Sequence, residues 1–209
     1  MDPLWWIVAM AVFLVGLLEA ERRGSQRGKA LTKPLASACF IGLAATAQGA
    51  APYQTIVLVA LGLSWLGDVL LIPHDQRVFR AGILAFLAAH VAFAAAFLSL
   101  GLHLVATLVA AVALAGLAVV VGRWLLPHAG GLRGAVLAYI AVISVMAALS
   151  AGATAGGASW LVAAGATAFF VSDLSVARDR FVAPGWGNRL WGLPLYYAAQ
   201  AMLALSVRA

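Results

Sequence analysis

Two aspartates stand where carboxylates are expensive. Asp68 lies in ALGLSWLGDVLLI and Asp173 in GATAFFVSDLSVA, each inside an apolar run. A charged side chain at bilayer depth costs about 3 kcal/mol on insertion scales and more in simulations, and such groups mark pathways and reaction sites. The pair therefore reads as the working groups of an intramembrane active site. The bland alternative is a structural tie to Lys33, Arg80 or a backbone donor; the expense of an intramembrane acid favours function.

Other polar groups fall at similar depth on other helices. Ser64 precedes Asp68 by one turn and shares its face, and Ser172 is next to Asp173. Gln200 lies four residues after Tyr196 and three after Tyr197, so it can share a face with either. Tyr139 sits early in its own apolar run. Phe86, His90, Phe93 and Phe97 form a helical stripe, an aromatic wall containing one titratable group. Each has a plainer reading: the phenylalanines as ordinary packing, His90 as a satisfied buried histidine, and Ser64 and Ser172 as side chains bonded back to their own helix. Asp75 and Asp179 fall in connections and read as solvated, and Glu19 and Glu21 as weaker candidates for the rim of the site.

Other chemistries find little support. No Ser-His-Asp order or nucleophile elbow surrounds a serine, and the glycine run AGATAGGAS has no lysine to make a phosphate loop. The four histidines are dispersed, whereas a zinc site needs three or four clustered ligands; no metal and no cofactor is expected. The single cysteine, Cys39, excludes an intramolecular disulfide.

The elements that must position these groups follow from composition. Of the 209 residues, 65% are hydrophobic and only 10% charged, against about 25% charged in a soluble domain. The apolar runs are continuous, not alternating, so the fold class is all-α: a polytopic membrane protein forming one transmembrane domain over 1–209. Eight spans are expected, near 4–20, 34–50, 53–73, 80–99, 103–123, 133–151, 158–177 and 188–207. The second is the weakest, with Thr46 and Gln48 near its end. The N-terminus lacks basic residues ahead of its apolar stretch, so it reads as the first span and not as a secretory leader.

The connections after spans one, three, five and seven hold all but one of the thirteen lysines and arginines. The positive-inside rule then places both termini outside the cytoplasm, in an inner membrane of bacterial type. The same asymmetry explains the net charge of +6 as topology signals and lipid contacts, leaving nothing for nucleic acid. Asp68 comes about five residues, or ~7 Å, from the cytoplasmic end of its span, and the polar groups share the cytoplasmic half of the bilayer. The halves 1–100 and 101–209 carry their aspartates at corresponding places, which suggests two parallel four-helix repeats.

In their order and spacing, these residues resemble the YhhN, or lysoplasmalogenase, family of membrane proteins. The resemblance rests on Gly67-Asp68, Phe86 to His90, Ser172-Asp173 and Tyr196-Tyr197 to Gln200, with Lys33-Pro34, Tyr139 and Met146 also fitting. It implies hydrolysis of the vinyl-ether bond of a lysophospholipid, giving a fatty aldehyde and a glycerophospho-headgroup. Asp68 and Asp173 would be the acid and the water-orienting carboxylate in either assignment. His90 would relay protons, and the tyrosines with Gln200 would hold glycerol oxygens or water. Lys33, Arg80 and Arg133 would meet the phosphate, and the tail would lie along Phe86–Phe97. A proton-coupled transporter or a scaffold of tied helices would show the same polar layer; aldehyde release separates them. Oligomeric state is left open.

Overall fold

The computed structural model describes residues 2–208. Its eight long helices are α1 (Pro3–Arg22), α2 (Gln26–Ala45), α3 (Ala51–Leu70), α4 (Gln76–Leu98), α5 (Leu104–Leu125), α6 (Arg133–Ala155), α7 (Trp160–Ala177) and α8 (Trp186–Leu205), with no strand among the described residues. Seven are long and apolar enough to cross a membrane. The chain is a polytopic, all-helical membrane protein.

Helix α2 does not meet that hydropathy level, and it departs most from the expected span of 34–50. It begins on Ser25, whose side chain accepts a hydrogen bond from the Gly28 amide at 3.1 Å, and closes at Ala45. Hydropathy treats Lys29 and Lys33 as a boundary. Here they lie inside the helix with their ammonium groups turned onto Glu21 and Asp68. The helix continues through Pro34.

The remaining starts follow ordinary capping chemistry. Asp2 caps α1 with Pro3 in its first turn, and Asp75 accepts from the amides of Arg77 and Val78 at 2.7 and 3.0 Å to start α4. Helix α7 runs on into a wider π-helical turn, Arg178–Val182.

Helices pack as sequential hairpins, α1 on α2, α3 on α4, α5 on α6 and α7 on α8, joined by α2–α3, α6–α7, α4–α6 and α2–α8 contacts. Water does not drive helices together inside a membrane, so close packing between small residues matters. A Cβ on Gly67 would come 2.6 Å from the Phe86 ring, and one on Gly192 would collide with the Ser175 hydroxyl. These glycines set the α3–α4 and α7–α8 approaches that flank the two aspartates. The core is filled by Leu17, Phe40, Leu61, Phe93, Phe97, Met146, Phe169 and Leu203, all fully buried. Helix α5 is the outermost, with Val105, Leu108, Val109 and Val112 exposed on a surface suited to lipid tails.

Candidate active site

Asp68 is two residues from the end of α3 and 2% exposed. Its carboxylate collects donors from two other helices. From α2, Lys33 Nζ lies 3.1 Å from Oδ1 and Ser37 Oγ donates to Oδ2 at 2.6 Å. From α8, the Tyr196 hydroxyl donates to Oδ2 at 2.7 Å. Tyr197 stands behind Ser37, with 3.0 Å between their oxygens. Since Ser37 gives its hydrogen to Asp68, its oxygen is free to accept from Tyr197. Every partner of Asp68 donates, and one is a cation.

Asp173, in α7, has different company. The Tyr139 hydroxyl of α6 donates to its Oδ2 at 2.7 Å, and His90 Nε2 of α4 is 3.5 Å from the same oxygen. His90 Nδ1 lies 2.7 Å from the Phe86 carbonyl. A carbonyl only accepts, so Nδ1 carries hydrogen. In a neutral ring Nε2 is then a bare acceptor, and at 3.5 Å from the carboxyl oxygen it has no hydrogen-bond partner among the described residues. The imidazole is held by Phe169, at 4.4 Å between ring centroids, and Tyr139, at 5.3 Å.

The two constellations repeat one plan. The aspartate of α3 is reached from α2 and α8; that of α7 is reached from α6 and α4. Both acids line one cavity of about 600 Å³, within the ordinary range for a small-molecule site. The cavity lies at the end of the bundle where the basic connections are, bounded by Glu21 and Lys29 near the α1–α2 turn, His74 and Gln76 before α4, and Asp179 and Arg189 around the α7–α8 turn. Its deeper wall is apolar, with Ile83, Phe86, Val136, Ile140, Phe170 and Leu174.

The other expected residues divide. Lys33, Tyr139 and Tyr196 meet the aspartates and line the cavity, and Arg80 lines it at an exposed position. Ser172 lines it too, but its hydroxyl is bonded to the Phe169 carbonyl at 2.8 Å. Ser64 is bonded to the Ala60 carbonyl at 3.0 Å and is not part of the lining. Gln200 is fully buried, with neither amide atom bonded to the protein and no place in the lining. The aromatic wall is corrected in part. Phe86 faces the cavity, whereas Phe93 and Phe97 pack together in the core, their ring centroids 6.2 Å apart. The apolar wall of the cavity is therefore the α6–α7 surface beside Phe86 and not the full stripe. Arg133 is turned to the Leu126 carbonyl at 3.2 Å.

Ser37 escaped the sequence reading because a lone serine in an apolar helix carries no pattern. Its one signal is its place one turn after Lys33. Asp179 is not a solvated loop residue: it accepts from the Gly185 amide at 2.8 Å, from Asn188 at 3.1 Å and from Arg189 at 3.2 Å.

An all-helical membrane bundle with two aspartates on one cavity of about 600 Å³ defines the class. Residues 28–207 match the YhhN family, and the chain belongs to it. The chain is 37% identical over 164 residues to the protein named lysoplasmalogenase TMEM86A from Bos taurus, and 36% identical over 162 residues to that of Homo sapiens. Each match takes in 74% of this chain and 66% of the relative, just under two thirds of its length. No solved structure is significantly similar to the chain.

Proposed function

We propose that the chain hydrolyses the vinyl-ether bond of a lysophospholipid, a lysoplasmalogen or close relative, at the Asp68–Asp173 cavity. The observation that carries the reading is that two carboxyl groups on one cavity have opposite surroundings. Asp68 is paired with the Lys33 ammonium and receives two hydroxyl hydrogens. Among the described residues Asp173 has no lysine or arginine partner, and His90 Nε2 stands 3.5 Å from it, placed to return a proton to it during turnover. Sites with two carboxyl groups divide acid and base roles in this way.

The reaction then runs as follows. Asp173, supplied by His90, donates a proton to the outer alkene carbon, and the alkene electron pair forms the new C–H bond. An oxocarbenium ion results, with positive charge shared by the ether oxygen and its attached carbon. Asp68 stabilises that charge, and with Tyr196 it orients water onto the carbon. Water adds and loses a proton, returning the acid to its starting state. The hemiacetal collapses to a fatty aldehyde and the glycerophospho alcohol. The names of the relatives support the substrate class, and the apolar α6–α7 wall suits the alkenyl tail. Arg80 at the exposed rim draws the anionic end toward the cavity. Tyr197 belongs to the scaffold behind Asp68, Gln200 lies outside the cavity lining, and Ser64 and Ser172 bond back to their own helices.

In the same reading all eight helices cross the membrane. Helix α2 carries its lysines across on ion pairs, the basic connections and the cavity mouth face the cytoplasm, and both termini lie outside it. The matching partners of the two aspartates support two parallel four-helix repeats. The test is aldehyde release from lysoplasmalogen by the purified chain. Asp68→Asn and Asp173→Asn are each expected to reduce the rate by a hundredfold or more, as losses of general acid-base groups do at roughly 10²–10⁴-fold. Full activity in either variant refutes its assigned role.

A further inference from the structure

Lys29 is a charged residue only 8% exposed, and it lines the cavity. Its nearest anion is Glu21 Oε2 at 3.6 Å, longer than a hydrogen bond. That same oxygen already accepts from Arg189 Nη1 at 2.6 Å. The three N–H groups of Lys29 thus have no hydrogen-bonded partner among the described residues. The side chain is otherwise enclosed and its ammonium opens onto the cavity, where an anion would supply the acceptors that the protein does not. The cavity lining as a whole carries five lysines and arginines against four carboxyl groups. Its excess positive charge calls for an anion.

We infer that Lys29 and Arg189, held side by side by Glu21, form the seat for the phosphate of a lysophospholipid. The inference rests on the proposed lipid reaction and names the part of that site which holds the headgroup. Spacing supports it. Lys33 marks the depth of Asp68, and Lys29 is one turn nearer the mouth on the same face of α2, a rise of about 6 Å. In a 1-alkenyl glycerophospholipid the ether oxygen and the phosphorus are separated by about five bonds, or ~6 Å in an extended zigzag that advances ~1.25 Å per bond. A vinyl ether at the Asp68 level therefore delivers its phosphate to Lys29. Arg189 brings a planar guanidinium suited to phosphate oxygens, and its Nη2 is anchored to Asp179 at 3.2 Å. Lys33, engaged with Asp68, stays at the reacting level.

The test uses two saturated ethers that cannot be hydrolysed, 1-O-hexadecyl lysophosphatidylethanolamine and 1-O-hexadecylglycerol, which lacks the phosphate. Their binding to the full chain in maltoside micelles is measured by titration. Wild type binds the phosphate-bearing ether more tightly. Lys29→Met weakens that binding at least tenfold, leaves hexadecylglycerol unchanged, and Lys29→Arg restores most of the loss. Arg189→Gln gives the same split, which guards against misfolding of the first variant. Equal weakening of both ligands in both variants, or no weakening of the phosphate-bearing one, overturns the assignment. Because neither probe is turned over, a phosphate-dependent split without aldehyde release from lysoplasmalogen would keep the seat and reject the reaction.

Discussion

The Lys33–Asp68 pair gives the sharpest test of how the site is built. Asp68 is 2% exposed and the Lys33 side chain 12%, so screening by water is slight and their 3.1 Å contact is a buried ion pair. Removing one partner of such a pair costs about 3–5 kcal/mol, because the other charge is left uncompensated. Asp68 keeps its bonds from Ser37 and Tyr196, so Lys33→Met should fall at the lower end, about 3 kcal/mol. For a chain of this size each kcal/mol shifts Tm by roughly 2–4 °C, so the expected drop is about 6–12 °C. Asp68→Asn strands the lysine and should destabilise by a similar amount. The double variant Lys33→Met/Asp68→Asn leaves no unpaired charge. It should lose about 3–4 kcal/mol, close to either single variant and well short of their sum, giving a coupling of about 2–3 kcal/mol, yet remain inactive. Tryptophan fluorescence during thermal unfolding in detergent reads the stability, and aldehyde release reads the activity. Additive losses in the double variant, or a Lys33→Met loss below about 1 kcal/mol, would show that the two groups do not act as a buried pair.

Three further outcomes follow from separate contacts. Tyr139→Phe removes the only hydroxyl among the described residues that donates to Asp173 and should lower the rate of aldehyde release about tenfold or more, since its hydrogen bond to the carboxylate left when Asp173 gives up its proton contributes about 1.5–3 kcal/mol. His90→Phe keeps an aromatic ring against Phe169 but removes the imidazole that resupplies Asp173; activity should fall ~100-fold. Phe97→Ala should lower stability by about 3–5 kcal/mol without altering preference for tail length, whereas Ile140→Trp, which narrows the cavity beside the α6–α7 wall, should shift that preference to shorter chains. A product profile across tail lengths checks both.

The one-dimensional pattern of apolar runs already determined that this is a helical membrane protein, where most helices lie, and that Asp68 and Asp173 are the groups to explain. It could do so because the cost of burying a charge depends on the solvent around the segment and needs no knowledge of neighbours. The family resemblance came from short motifs whose order is itself one-dimensional. Three things were decided only by tertiary structure. Helix α2 extends to Gln26 because Glu21 and Asp68, from other helices, face its lysines, whereas a hydropathy average counts every lysine as solvated. Phe93 and Phe97 share a stripe with Phe86 in the sequence, but neighbouring helices close over two of the three and leave one on the cavity. The different surroundings of the two aspartates rest on Ser37, Lys33, Tyr139, Tyr196 and His90, contributed by four helices. Helical periodicity fixes which residues share a face of one helix. Which faces meet is settled by packing contacts such as those at Gly67 and Gly192, and the different surroundings of Asp68 and Asp173 arise there.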